Sequence, residues 1–237
     1  MIPKTIHYCW LSGEEMPKAF RRYIEGWKRV MPDYEFKLWD MEAMKDCGSE
    51  YFIKAAKAGR YAFASDYVRL YALYNHGGIY LDCDVEALRS FGPLMSLTYF
   101  ICREDTRHGI EAAVMGAEKG CPWIGECLDY YDTQKELSDE VMPSVMKRIF
   151  EEKGVKIREI DSPCDFRHDD KELQILPPAY FSPKSYVTGK VSVTEETYCI
   201  HHFCGSWQPK WKKLLLKLWV PFSYRYPNLA RRIKATL

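Results

Sequence analysis

Asp82 and Asp84 stand one residue apart, with Cys83 between them, at the end of residues 64–86, ASDYVRLYALYNHGGIYLDCDVE. In an extended segment both carboxylates point to one side. Two hard carboxylate oxygens at one spot suit Mg²⁺ or Mn²⁺, ions that commonly also hold substrate phosphates. A solvated Asp-x-Asp turn is the plain alternative for so short a pattern. What precedes the pair narrows the choice. On a wheel of about 100° per residue, Phe63, Leu70, Tyr74, Tyr67 and Tyr71 gather on one side of a helix. Ser65, Asp66 and Arg69 gather on the other, together with Leu73. Gly77 and Gly78 end the helix, since glycine tolerates the left-handed conformation of a helix stop. Ile79, Tyr80 and Leu81 then make a short buried strand, and the aspartates emerge at its carboxyl end, where open α/β sheets place ligands.

The whole stretch resembles the DXD sugar-transferase signature, S-D-x-x-R-x-x-x-L-x-x-x-G-G-x-Y-x-D-x-D. Ser65, Asp66, Arg69, Leu73, Gly77, Gly78, Tyr80, Asp82 and Asp84 match it position for position. It is similar to the glycosyltransferase family that contains yeast-type initiating α-mannosyltransferases and bacterial capsule and lipopolysaccharide enzymes. The glucosylating bacterial toxins are more distant relatives by the same motif. The resemblance implies a GT-A, Rossmann-like nucleotide-sugar-binding fold and transfer of a hexose from a UDP- or GDP-sugar with retention of configuration. It further implies that Asp84, and Asp82 directly or through the ribose, hold Mn²⁺ or Mg²⁺. Arg69 would reach phosphate or sugar, and Asp66 would accept hydrogen bonds from sugar hydroxyls. The plain alternative for that pair is an i, i+3 ion pair on a helix surface. No carboxylate stands out as a covalent nucleophile, so the resemblance implies front-face attack by the acceptor hydroxyl.

A second metal candidate lies far along the chain, in His201-His202-Phe203-Cys204-Gly205-Ser206-Trp207. Imidazole joins carboxylates readily on borderline metals. The segment resembles the H-[FY]-x-G element of metal-dependent GT-A enzymes. Matching on Phe203 and Gly205 selects His202 as the ligand and leaves His201 on the opposite face. By resemblance to the toxins, Ser206 and Trp207 contact the β-phosphate in a closing loop. Cys199, His201, His202 and Cys204 are also read as a structural zinc set, although C-x-H-H-x-C lacks the usual C-x₂₋₄-C spacing. The opening strand extends the resemblance through Ile2, Pro3, Lys4, Ile6, His7 and Trp10. Trp10 inherits stacking on the nucleotide base, with a core aromatic as the alternative; His7 reads as a buried strand residue. In the family the chain resembles, the region after residue 103 walls the sugar and acceptor pocket, which makes Glu104, Asp105, His108 and Glu111 candidates for substrate hydroxyl contacts; a solvated polar loop is the plain alternative.

These groups need a scaffold. Strand patterns at residues 2–10 and 34–39 alternate with helical patterns at 17–30 and, capped by Asp40, at 40–44. This order indicates a mostly parallel α/β sheet. Further strands are expected at 99–103, 112–116, 172–176 and 197–200, and amphipathic helices at 122–131 and 141–151. The division expected is a glycosyltransferase domain over residues 1–207 and a basic helical tail over 208–237. In that tail Trp211, Leu214, Leu215, Leu218 and Trp219 share one helix face. Two readings of the tail stay open: a helix lying on an anionic membrane surface and a helix packed back on the domain.

The chain has 237 residues, 47% of them hydrophobic and 28% charged, and a net charge of +1. Such a balance argues against a general nucleic-acid binder. The charge is uneven, because eight basic residues and no acidic one follow Glu196, which points to a partner for the tail. Nine cysteines without a CxxC pair suggest free thiols in a reducing compartment. No run approaches the roughly 20 apolar residues of a membrane span, and the first ten residues enter a strand pattern without a signal peptide's apolar segment. The expected location is cytoplasmic, at most peripheral on the inner face of the membrane. The partners expected are a nucleotide-sugar and a saccharide or lipid-linked acceptor in surface-polysaccharide synthesis.

Two rivals remain. Aspartate-based phosphohydrolases also carry D-x-D after a strand, but they place Thr or Val where this chain has Glu86, and they place the motif near the first strand. A non-catalytic sugar-binding or membrane-adaptor protein is the other, and intact Asp82, Asp84 and His202 weigh against it.

Overall fold

A computed structural model describes residues 1–104, 109–134, 136–167, 169, 171–205, 215, 219–220, 222–227 and 229. Asp105, His108, Ser206, Trp207, the boundary at 207 and most of the basic tail therefore lie outside the described residues.

Strand β1 (Thr5–Cys9) forms the middle of the sheet's first half, pairing in parallel with β2 (Glu35–Trp39) on one side and β3 (Gly78–Leu81) on the other. The order continues through β6 (Val114–Ala117) to β5 (Tyr99–Phe100), giving β2-β1-β3-β6-β5. Both later ladders are antiparallel. The sheet is therefore mixed rather than mostly parallel, with two parallel and two antiparallel ladders. Strand β6 is the one that runs against the others, and it returns beside β3, bringing residues 111–113 to the carboxyl end of that strand.

Alternation along β3 sorts the core into two layers. Ile79 and Leu81 pack on one side with Trp27, Phe91, Phe100 and Phe181, whereas Tyr80 packs on the other with Trp39, Phe52, Tyr67 and Leu70. Helix α1 (Lys18–Val30) covers the first side through Ile24 and Trp27. The second is covered by α2 (Glu50–Lys57), α3 (Tyr61–His76), α4 (Pro122–Thr133) and α5 (Met142–Glu152). Helix α2 lies in a stretch where no element is expected from the sequence; Ser49 caps it by accepting the Phe52 N–H. The short helix expected after Asp40 is a turn instead, in which the Asp40 carboxylate accepts the Ala43 N–H at 2.8 Å. Two small ladders complete the fold: β4 (Val85–Ala87) with β9 (Cys199–His201), and β7 (Lys156–Glu159) with β8 (Glu172–Ile175).

The two glycines between α3 and β3 are required by geometry. Gly77 closes the helix at φ +67° and Gly78 follows at φ +109°, and a Cβ on Gly78 would lie 2.6 Å from the Thr5 carbonyl oxygen and 3.0 Å from His7 Nε2. Beneath them His7 is fully buried. Trp39 Nε1–H donates to its Nδ1 at 3.1 Å, which leaves Nε2–H to donate to the Gly77 carbonyl at 2.8 Å. Burial, with His76 and Lys37 nearby, holds this ring's pKa down to about 4. His7 is a core residue of the strand, as its position suggested.

Candidate active site

Asp82 follows the last residue of β3, and its N–H donates to the carbonyl of Ala113, in the segment that leads into β6, at 2.9 Å. Its carboxylate lies on the same side as Tyr80, toward α3, where Arg69 comes within 3.3 Å. Arg69 also reaches Asp66 at 3.2 Å, donates from Nη1 to the Ala112 carbonyl at 2.6 Å, and lies over the Tyr80 ring. One guanidinium, only 7% exposed, thus pairs with two carboxylates and ties the helix to the strand end through Asp82. The i, i+3 pair of Asp66 and Arg69 is not a surface pair.

Burial controls protonation here. It raises the Asp66 pKa to about 7, with Arg69 opposing and the Asp82 charge adding to the rise. Asp82 is raised in the same direction, first by burial and then by the Asp84 carboxylate, again against Arg69. Crowded carboxylates that resist ionisation favour the arrival of a cation.

A tight turn carries the chain from Asp82 to β4, the Val85 N–H donating to the Asp82 carbonyl at 3.0 Å. Strand β9 pairs antiparallel with β4 and sets Val85 opposite His201. His201 Nε2 comes to 3.6 Å from Asp84 Oδ1, and its Nδ1 lies 3.1 Å from Glu111 Oε2. Donor atoms of Asp82, Asp84 and His201 all fall within 4.8 Å of one another, the group of acidic, histidine and cysteine side chains among the described residues that could hold a metal ion. Burial works against a charged His201 ring, but Glu111 and Asp84 outweigh it and push its pKa up to about 10. Two carboxylates and an imidazole form a donor set that fits a borderline divalent cation.

The histidine in this cluster is therefore His201, and the expectation of His202 is corrected. Adjacent residues of a strand face opposite ways. His202 points away, its Nε2 2.9 Å from Glu86 and its ring stacked on Tyr23 at 4.9 Å between centroids. Thr197, Tyr198, Cys199 and Ile200 are all buried, so neither alternating set reads as the outer face and the sequence carries no signal for the register. The zinc set is dispersed as well: Cys199 is buried with its thiol toward the Phe181 carbonyl, Cys204 is exposed, and the two histidines diverge. Phe203, at φ +54°, turns the chain so that the Cys204 N–H donates to Asp84 Oδ2 at 2.7 Å. A non-glycine residue in that region is uncommon and often marks a functional loop.

The remaining expected residues take varied places. Trp10 follows β1 at the same end of the sheet as Asp82, half-buried, with Nε1–H donating to the Glu14 carbonyl at 2.7 Å and its ring edge-on to Phe20. Ser65 donates its hydroxyl back to the Ala62 carbonyl at 2.7 Å and does not join the carboxylates. Glu111 is not in a solvated loop; it is 1% exposed and faces His201. Glu104 is buried too.

Comparison with known proteins points the same way. Residues 17–101 match the family described as glycosyltransferase sugar-binding region containing DXD motif. Over 127 residues the chain is 34% identical to inositol phosphoceramide mannosyltransferase 3 of Schizosaccharomyces pombe, a match covering 52% of this chain and 35% of that protein. It is 28% identical over 132 residues to a mannosyl phosphorylinositol ceramide synthase of Saccharomyces cerevisiae, covering 54% and 34% of the two chains. The chain thus spans about a third of the length of these curated relatives. Among solved structures, the PaToxG glycosyltransferase superposes with a TM-score of 0.53 at 20% identity, over 64% of this chain and 70% of that one. At that identity the likeness is one of fold: a mixed α/β architecture like that of GT-A glycosyltransferase domains.

Proposed function

We propose that this chain, whose residues 17–101 carry the sugar-binding DXD region of that glycosyltransferase family, is a metal-dependent retaining glycosyltransferase. It moves a hexose from a nucleotide-diphosphate sugar to a saccharide or lipid-linked acceptor. Mannose is the first donor sugar to test, and a lipid-linked acceptor the first acceptor, because both fungal relatives are named for mannosyl transfer to inositol-containing ceramides. The observation that carries the reading is the meeting of Asp82, Asp84 and His201 within 4.8 Å beside Arg69. The family match disfavours the phosphohydrolase reading.

Asp82, Asp84 and His201 would hold Mn²⁺ or Mg²⁺, which offsets charge on the departing nucleoside diphosphate. Arg69 aims Asp82, and its charge opposes the rise in pKa that burial imposes on that carboxyl. Asp66, held against Arg69, accepts hydrogen bonds from donor hydroxyls. The Cys204 N–H fixes one oxygen of Asp84 and leaves the other for the cation. Trp10, at the same end of the sheet, offers a face for the base, and the resemblance of residues 201–207 to metal-dependent GT-A enzymes assigns the β-phosphate contact to Ser206 and Trp207. The acceptor hydroxyl attacks from the side the leaving group departs, without a protein nucleophile.

We extend the proposal to a cytoplasmic location, supported by nine free cysteines, with the eight basic residues after Glu196 as the candidate contact for an anionic membrane. No helix among the described residues is long and apolar enough to cross a membrane. The test is hydrolysis and transfer with a panel of GDP- and UDP-hexoses, with Mn²⁺ and then with chelator. Chelator-sensitive turnover of a nucleotide-sugar supports the proposal. Cleavage of simple phosphate esters with no nucleotide-sugar turned over would overturn it.

A further inference from the structure

We propose that Glu111 is a positioning residue, the buried carboxylate that selects the metal-facing nitrogen of His201; this rests on the cation site proposed above. Glu111 is 1% exposed, and a carboxylate so deeply buried is costly unless it is paired and hydrogen-bonded. Both of its oxygens are engaged. Oε1 accepts the Ala113 N–H at 2.8 Å, and Oε2 lies 3.1 Å from His201 Nδ1.

The position of Glu111 in the chain makes the arrangement rigid. Residues 111–113 enter β6, the strand that runs against its neighbours. Each touches a different part of the site: Glu111 the His201 ring, Ala112 the Arg69 guanidinium through its carbonyl at 2.6 Å, and Ala113 the Asp82 N–H through its carbonyl at 2.9 Å. The Glu111 N–H is itself held by the Cys102 carbonyl at 2.8 Å. One short segment therefore registers the histidine, the arginine and the first aspartate against one another.

The chemistry follows from the ring's two nitrogens. With Nδ1–H donating to Glu111, the lone pair of a neutral imidazole falls on Nε2, the atom that faces Asp84 at 3.6 Å. A carboxylate behind a ligating histidine fixes its tautomer and orientation and raises its basicity. Glutamine cannot reproduce this. Its single carbonyl oxygen can serve the Ala113 N–H or the His201 Nδ1–H but not both, and its NH₂ would face the other donor. If the oxygen stays with Ala113, the NH₂ calls for a lone pair on Nδ1 and sends the ring proton to Nε2, where it blocks the cation.

The experiment is an electron-paramagnetic-resonance titration of the metal-stripped protein with Mn²⁺, comparing wild type with Glu111→Gln, alongside thermal unfolding of both without metal. Glu111→Gln should bind Mn²⁺ about 10–100-fold more weakly while its metal-free unfolding stays cooperative. A cooperatively folded Glu111→Gln with affinity within about twofold of wild type, against the 10–100-fold expected, overturns the assignment and leaves the cation site standing. A wild type that binds no Mn²⁺ overturns the cation reading itself and this proposal with it. If Glu111→Gln fails to fold, the unmutated protein decides: imidazole ¹⁵N spectra of the Cd²⁺-loaded chain, with the His201 signals identified by their loss in His201→Asn. A proton on Nδ1 and the metal on Nε2 support the proposal, and the reverse overturns it.

Discussion

Val85 and His201 face each other across the β4–β9 ladder, and this one pairing decides which of two adjacent histidines meets the DXD aspartates. A slip of one residue would exchange them, because the side-chain period of a strand is two. His201→Ala should therefore lose Mn²⁺ affinity and turnover at least as severely as the 10–100-fold typical of outer-shell changes. His202→Ala should keep Mn²⁺ affinity and lose only its contacts with Glu86 and Tyr23. Calorimetric Mn²⁺ titration of both variants checks this. Equal losses in the two would mean that the ladder is misregistered.

Arg69 holds two carboxylates from a site that is 7% exposed. Removing one partner from a buried, hydrogen-bonded ion cluster costs about 3–5 kcal/mol, since it strands the opposite charge. Arg69→Met should be destabilised by about that amount in urea unfolding without metal, and Mn²⁺ should restore more stability to it than to wild type by replacing the missing positive charge. A variant as stable as wild type would show that Asp66 and Asp82 do not depend on the guanidinium.

Much of this arrangement was legible before any fold was known. The nine matched positions between Ser65 and Asp84 fix a helix, a stop and a strand end whose geometry follows from local rules: helical spacing, glycine at positive φ, and alternation in an extended segment. Asp66, Arg69, Asp82 and Asp84 therefore come together where expected. What was not legible depends on contacts distant in sequence. His201 and Glu111 stand 90 positions apart, and neither carries a mark that separates a buried pair from a solvated loop. The direction of β6 is equally hidden, because residues 114–117 are buried on both faces and a continuously apolar run reads the same in either sense. Helix α2 has its buried residues at helical spacing, Tyr51, Phe52, Ala55 and Ala56, but eight residues are shorter than the window in which such a period stands out.

The buried ring of His7 makes a pH prediction with a definite sign. Its folded pKa, about 4, lies below the ordinary 6.5, so between those values the unfolded chain binds the extra proton. The stability it supports is complete above pH 6.5 and is lost as pH falls through about 4, a total of about 3 kcal/mol. Glutamine can accept from Trp39 and donate to the Gly77 carbonyl without titrating. His7→Gln should therefore show a flatter fall in melting temperature from pH 7 to pH 4 than wild type. Parallel curves would place the acid sensitivity elsewhere, for example at His76, whose pKa burial also lowers.

Gly78 is the point at which the helix carrying Asp66 and Arg69 is joined to the strand carrying Asp82. Its φ of +109° alone imposes about 1–3 kcal/mol on a residue with a side chain, and a Cβ there would press on the Thr5 carbonyl at 2.6 Å. That oxygen is backbone within the β1 ladder and cannot swing aside as a side chain would. Gly78→Ala should therefore lose more than about 1 kcal/mol in equilibrium unfolding. It should also weaken Mn²⁺ binding, because relief of the clash moves β3 and with it Asp82. Gly120→Ala is the matched comparison: its φ is +74°, and nothing lies within 4 Å of the added Cβ. It bears the conformational strain without the clash, so it should be destabilised less and bind Mn²⁺ as wild type does. If the two variants lose stability and affinity alike, close packing at Gly78 does not set the position of the aspartates.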